Sequence, residues 1–325
     1  MSTSNNVRFS LKHSRAVLCL STLFAITASG HSTGQSKQLV QPAIYVGQGG
    51  WDTEISRVTQ INDMRGTGLR SYGQKGDGKG NFVGINGIAV DQAGRIYVTD
   101  PDHDRIVRID DISGKGWVEY GKSGKGIGQF NQPFGITLDR QGRIYIVDSG
   151  SAESGQKNDR LVRIDDMTGK GWATFDLLEA PIGIALDSQQ RMYITNYHTN
   201  EIVRIDDLEG HGYKKFGGRQ KFNGLMGIAI DSRDRIYVVD AFNCRIVRMD
   251  DMTGKGWTSL GRNGKGMKQF KNPNGISIDT AGRIYIADTG NKRLVRVDDM
   301  TGKGWTVFGK PGSYDLIDVT AVAVR

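Results

Sequence analysis

The sequence predicts an all-β fold, a six-bladed β-propeller of four-stranded blades, and three observations predict it. Short phrases recur at a period of 44 to 48 residues. Each phrase is β-branched or alternating and is bounded by Gly, Asp or Asn, which marks strands rather than helices. The partial repeats at the two chain ends complement one another, so a ring can close.

Strand a, nearest the axis, is read from Asn86-Gly-Ile-Ala-Val-Asp91 and its copies at Phe134–Asp139, Ile182–Asp187, Met226–Asp231 and Asn274–Asp279. Strand b starts four residues after each Asp, at Arg95-Ile-Tyr-Val98, Arg143, Arg191, Arg235 and Arg283. Strand c contains Ile106-Val-Arg-Ile-Asp110 and the copies ending at Asp165, Asp206, Asp250 and Asp298. A Gly-x-Gly turn and an aromatic then open strand d, at Trp117, Trp172, Tyr213, Trp257 and Trp305. At the N-terminal end, Ile44–Val46, Val58–Asp63 and Leu69–Tyr72 copy strands b, c and d, with no strand a before them. Thr320–Val324 copies strand a with nothing after it. A composite blade, N-terminal strands b-c-d plus C-terminal strand a, would close the ring and leave no unpaired edge.

Composition agrees. Gly makes up 45 of 325 residues and Pro only 6, against average usage of about 7% and 5%. Arg8, Lys12 and Arg15 precede an apolar run, Ala16 to Ala28, that ends in small residues. Residues 1–30 therefore read as a cleavable signal peptide, 31–43 as a short lead and 44–325 as the propeller. Export to the periplasm or the exterior follows. Cys19 would leave with the leader, and Cys244 alone cannot form an internal disulfide. No later segment is long and apolar enough to span a membrane, and a monomer is expected.

The phrases resemble the NHL repeat family: a Pro-x-Gly-Ile-Ala-Val-Asp start, a Gly-Arg-Ile-Tyr-Val-x-Asp middle and an Asn-x-Arg-Ile-Val-Arg end. Gln129-Phe-Asn-Gln-Pro133 and Gln269-Phe-Lys-Asn-Pro273 are similar to its lead-in. The resemblance covers about residues 40 to 325. It implies a six-bladed propeller used either as a ligand-binding platform, RNA-binding ones included, or as an enzyme such as an amidating lyase or lactonase.

Residues present in every blade serve what every blade needs. The strand-b Tyr and strand-d Trp are expected to pack between blades. Asp91 with Arg95, and Asp100 with Arg105, are expected to satisfy turns as surface ion pairs. The Asp-Asp pairs, such as Asp165-Asp166, suit turn capping. Gly121-Lys-Ser-Gly-Lys-Gly126 lacks the spacing of a phosphate loop.

Departures from the repeat point to function, and they gather where the b–c and d–a loops emerge. Trp51, Asp52 and Glu54 lengthen one b–c loop, and residues 149–157 lengthen another. One blade has Asn196 for Asp and Glu201 for Arg, with Tyr197 and His198 between them. His103, Phe242 and Cys244 occupy comparable loops. The d–a loops carry eleven basic residues, among them Arg262, Lys265, Lys268 and Lys271, against five acidic ones. The mature chain would retain about +5 of its +8. Asn86, Phe134 and Asn274 precede the repeated Gly near the axis.

These residues describe a binding or scaffold module for a protein or anionic ligand, with no cofactor; export disfavours nucleic acid. The alternative is a propeller lyase or hydrolase with its site across His103, His198, Tyr197 and Glu201. Zn²⁺ or Ca²⁺ belongs only to that alternative. The resemblance to amidating lyases implies three His ligands, and His211 lies on the other face. The lactonase resemblance implies acidic and amide Ca²⁺ ligands near the axis, where only the amides stand.

Overall fold

The computed structural model describes residues 43–49, 54–150, 158–309 and 316–325. The expected leader, Trp51, Asp52, residues 151–157 and Lys310 lie outside the described residues.

Six four-stranded antiparallel sheets make the blades. Blade 1 is the composite one, with Val319–Val324 as strand a followed by Ile44–Gln48, Arg57–Ile61 and Arg70–Tyr72. Blade 2 is Ile88–Val90, Ile96–Asp100, Arg105–Ile109 and Val118–Tyr120. Blade 3 is Pro133–Leu138, Ile144–Asp148, Arg160–Ile164 and Ala173–Phe175. Blade 4 is Pro181–Leu186, Met192–Asn196, Glu201–Ile205 and Lys214–Gly217. Blade 5 is Leu225–Ile230, Ile236–Asp240, Arg245–Met249 and Thr258–Leu260. Blade 6 is Ile276–Ile278, Ile284–Asp288, Arg293–Val297 and Thr306–Phe308. The closure expected from the chain ends is present, with Ile44 opposite Val324 and Val46 opposite Val322.

The core lies between blades rather than in one central mass. Tyr97 of blade 2 is buried with Ile136, Ile144 and Ile146 of blade 3. Trp117 of blade 2 packs 5.3 Å from Phe82 and 6.2 Å from Tyr72, both contributed from the blade 1 side. The expected inter-blade role of both aromatics is therefore met.

The surface ion pair expected at the a–b turns needs correction. The Asp139 and Asp187 carboxylates are fully buried, while Arg143 and Arg191 are partly exposed. Across five blades this Asp–Arg contact is 2.5–2.6 Å. Asp91 also accepts the backbone N–H groups of Ala93 and Arg95 and the Tyr97 hydroxyl. Burial forces this full set of partners, because an unpaired carboxylate there would be costly. At the c–d turns Asp111 accepts from the Ser113 backbone and hydroxyl, as turn capping requires.

The repeated Gly of strand a is explained by the axis. A Cβ on Gly87 would run into the Phe134 carbonyl, and one on Gly135 would meet the Ile182 carbonyl at 2.6 Å. Only glycine lets the innermost backbones of neighbouring blades approach this closely. Thr99 bridges the same gap, accepting from Gly87 N–H at 2.7 Å and donating to Phe134 O at 2.6 Å.

Deleting Val319–Arg325 removes the inner strand of blade 1, which carries buried Val319, Ala321, Val322 and Ala323. The melting temperature should fall by more than about 10 °C, or the transition should lose cooperativity. A thermal melt of the truncated chain followed by circular dichroism checks this.

Candidate functional site: the loop face

A buried polar clasp builds the face formed by the b–c and d–a loops. The last residue of strand b is Asp100, Asp148, Asp240 or Asp288 in blades 2, 3, 5 and 6. One carboxylate oxygen accepts a backbone N–H from the preceding d–a loop at 2.7–2.8 Å. The other meets the Arg that opens strand c, at 2.7–3.1 Å. That guanidinium also donates to a carbonyl of the same d–a loop, at 2.8–2.9 Å. Its plane lies over the strand-d Trp, 5.4–5.8 Å from the ring centre. These pairs are thus inter-blade clasps and not the surface pairs expected from sequence. Burial is the strongest influence on Asp148 and Asp288 and pushes both carboxyls upward, against their backbone and Arg partners.

The clasp fixes where the sequence-predicted residues stand. Arg262 is exposed and lines a cavity of about 550 Å³ with Arg219, Lys221 and Arg245. No carboxylate is among the described residues of that lining. Lys265 and Lys268 are exposed too, but they do not join it. The Lys265 carbonyl is held by Arg293, and the Lys268 stem lies against Gly302 of the next blade. Arg219 and Lys221 are the members that complete the basic cavity, and their place in the d–a loops was the signal for them.

Tyr197, His198 and Phe242 come together as an aromatic group spanning blades 4 and 5. The Tyr197 ring lies 6.0 Å from His198 and 6.2 Å from Phe242, which is 51% exposed. His103 stands apart on blade 2, between Asp100 at 2.8 Å and Asp77 at 2.9 Å. Its partial burial opposes the charged form, but the two carboxylates outweigh this and raise the imidazole above its ordinary value. His103 therefore lies on a different blade from Tyr197, His198 and Glu201. Glu201 is engaged by Lys215 at 3.2 Å. Among the described residues, the one group of three potential metal ligands is Asp207, Glu209 and His211, on the exposed c–d turn of blade 4.

Asn86 and Asn274 line the loop-face end of the axis, where the cavity is about 80 Å³. That is room for water rather than for an organic ligand. Phe134 is half-buried and packs against the cluster around Tyr145 and Ile184. On the other face the axis opens into a bowl of about 700 Å³ that sequence reasoning missed. Its Asp91, Asp139, Asp187 and Asp231 are all committed to their turn Arg partners.

The NHL repeat model matches residues 270–296, which run from Phe270 into strand c of blade 6. No curated protein matches the sequence. A chain of a crystal structure of a nidogen/laminin complex is similar in fold, at 19% identity and a TM-score of 0.67, covering 87% of this chain and 98% of that one. Virginiamycin B lyase from Staphylococcus aureus aligns at 18% identity and a TM-score of 0.54, covering 80% and 78%. A protein of unknown function from Bacteroides caccae aligns at 14% identity and a TM-score of 0.62, covering 87% and 98%. At these identities the likeness is one of fold. No helix among the described residues is long and apolar enough to cross a membrane.

Two outcomes are expected. Arg293→Ala leaves Asp288 buried without its guanidinium and should cost about 3–5 kcal/mol in denaturant unfolding. The raised His103 value makes its stabilisation full below the unfolded value of about 6.5, and lost as pH climbs through the folded one. His103→Gln should therefore flatten the fall of melting temperature as pH rises above about 6.5.

Proposed function

We propose that this NHL-repeat six-bladed β-propeller is an exported binding or scaffold module that takes an anionic ligand, or the acidic surface of a protein partner, on its loop face. The observation that carries the reading is the cavity lined by Arg219, Lys221, Arg245 and Arg262. Arg245 is tied to Asp240, and Lys221 lies 5.5 Å over the Phe216 ring. Arg219 and Arg262 are exposed, and no described carboxylate is within ion-pairing distance of either. Two free guanidinium forks over a rigid rim suit a phosphate, sulfate or carboxylate, which each can bind through paired hydrogen bonds. Further exposed cations, Lys122, Lys125, Lys265 and Lys271, widen the positive field around the face. Presence in a nidogen/laminin complex makes one structural neighbour a member of a protein assembly. The basic, then apolar N-terminal segment supports export, and mature protein should begin near His31.

The test is a titration with a sulfated polysaccharide and with an acidic protein at two salt concentrations. Replacing Arg219, Lys221 and Arg262 by Ala should weaken binding at least tenfold. With the polysaccharide, it should also lower the salt slope by roughly 2 to 3. Replacing the exposed Lys115, Lys170, Lys255 and Lys303 of the opposite face should change neither. Equal losses from the two sets would refute the reading.

A further inference from the structure

Blade 4 departs from the clasp at every position at once. Where blades 2, 3, 5 and 6 place Asp, Arg and Trp, blade 4 has Asn196, Glu201 and Tyr213. The connection entering it is also short. Five residues, 176–180, join Phe175 to Pro181, whereas twelve, 121–132, join Tyr120 to Pro133.

The longer connections do specific work. Those entering blades 2, 3, 5 and 6 insert a buried Phe, at Phe82, Phe130, Phe222 and Phe270, against the Trp of the blade they enter at 5.2–5.6 Å. The short connection has no Phe to insert; Leu178 is the residue it buries. Tyr213 is accordingly 38% exposed, and Leu177 beside it 70%.

The result is a groove of about 650 Å³ on the rim between blades 3 and 4, lined by Arg160, Asp176, Leu177, Tyr213 and Lys215 among others. Its two cations are committed, Arg160 to Asp148 and Lys215 to Glu201. Asp176 and Glu179 are exposed. Asn196 is fully buried, and neither atom of its amide has a hydrogen-bond partner among the described residues. It occupies the position that, in four other blades, binds the backbone N–H of the loop filling the groove. Even composite blade 1 keeps that bond, from Ile317 N–H to Gln48. A buried amide without partners is costly to keep, so its retention marks a position whose partner has been lost. Blade 4 thus keeps an aromatic, Tyr213, with the Asp176 and Glu179 carboxylates nearby, but lacks the Asp, the guanidinium, the Phe and the filling loop of a clasp.

We propose that this groove receives a loop or tail of a partner protein carrying an aromatic residue beside an Arg. The aromatic takes the place of the missing Phe against Tyr213. The Arg lies over that ring and meets the Asp176 and Glu179 carboxylates that line the groove, with Glu201 adjoining it through Lys215. An acidic segment, of the kind the basic loop face suits, is repelled here, so the two sites are independent.

The probe is a synthetic peptide with the sequence of residues 261–273, the loop that fills the equivalent space before blade 6, carrying Lys271→Arg so that an Arg stands beside Phe270. Titrated into the full chain at physiological salt, it should bind saturably at one site. A peptide with Phe270→Ser should bind at least tenfold more weakly. Glu201→Arg, which supplies the chain's own guanidinium, and Tyr213→Ala should each weaken the parent peptide at least tenfold while circular dichroism stays unchanged. Glu201→Gln provides the same reading should Tyr213→Ala not fold. No saturable binding at millimolar peptide, or binding indifferent to both Glu201 variants, would overturn the proposal. So would binding that appears only in a chain lacking residues 151–157, which would give the groove to the chain's own loop. Failure of this titration leaves the salt-dependent test of the basic face unaffected.

Discussion

A carboxylate buried at the end of strand b must find partners for both oxygens, and this requirement organises the loop half of each regular blade. Asp288 meets it with Lys271 N–H, Asn291 and Arg293. Arg293 in turn fixes the carbonyls of Lys265, Gly266 and Gln269 and covers Trp305. One ion pair therefore ties strand b, strand c, strand d and the incoming loop into one unit. The basic side chains that radiate from those loops are displayed on a backbone that cannot easily move.

The axis answers a second constraint. Six innermost strands meeting at one line leave little space for side chains where they approach, so five of them carry Gly at that level and blade 1 carries Ala321. The approach brings Asn86 and Asn274 to a space of about 80 Å³. Binding capacity consequently moves outward, to the basic cavity beside blade 5 and the rim groove beside blade 4.

Those two features are opposite in sign and arise differently. The basic cavity is made by loops that keep the repeat and add Arg and Lys at their exposed tips. The rim groove is made by a loop that leaves the repeat, together with substitutions at Asn196, Glu201 and Tyr213 that remove the residues which would have gripped it. A clasp without its loop would leave a buried charge unpaired, so loss of the loop and loss of Asp and Arg belong together.

Much of this was legible in the sequence, because a repeat prints the same physical requirement several times. The period, the alternating apolar pattern and the complementary chain ends determined six blades and their closure, and the repeated Tyr and Trp determined inter-blade packing. Charge counts marked the loop face as basic. The partners of Asp100 and Asp148 could not be read the same way, since the carbonyls and N–H groups they organise come from a loop of the preceding blade. Nor could the sequence show that Lys268 leans on Gly302 while Arg262 joins Arg219, because loops of similar composition differ in where they aim their side chains. Asn196 and Glu201 were visible as departures from the repeat and Tyr213 as one of the strand-d aromatics, and only the tertiary structure set all three beside a groove left open by a short loop. Local pattern determines strands through backbone geometry, whereas a site is an arrangement of distant segments that packing alone brings together.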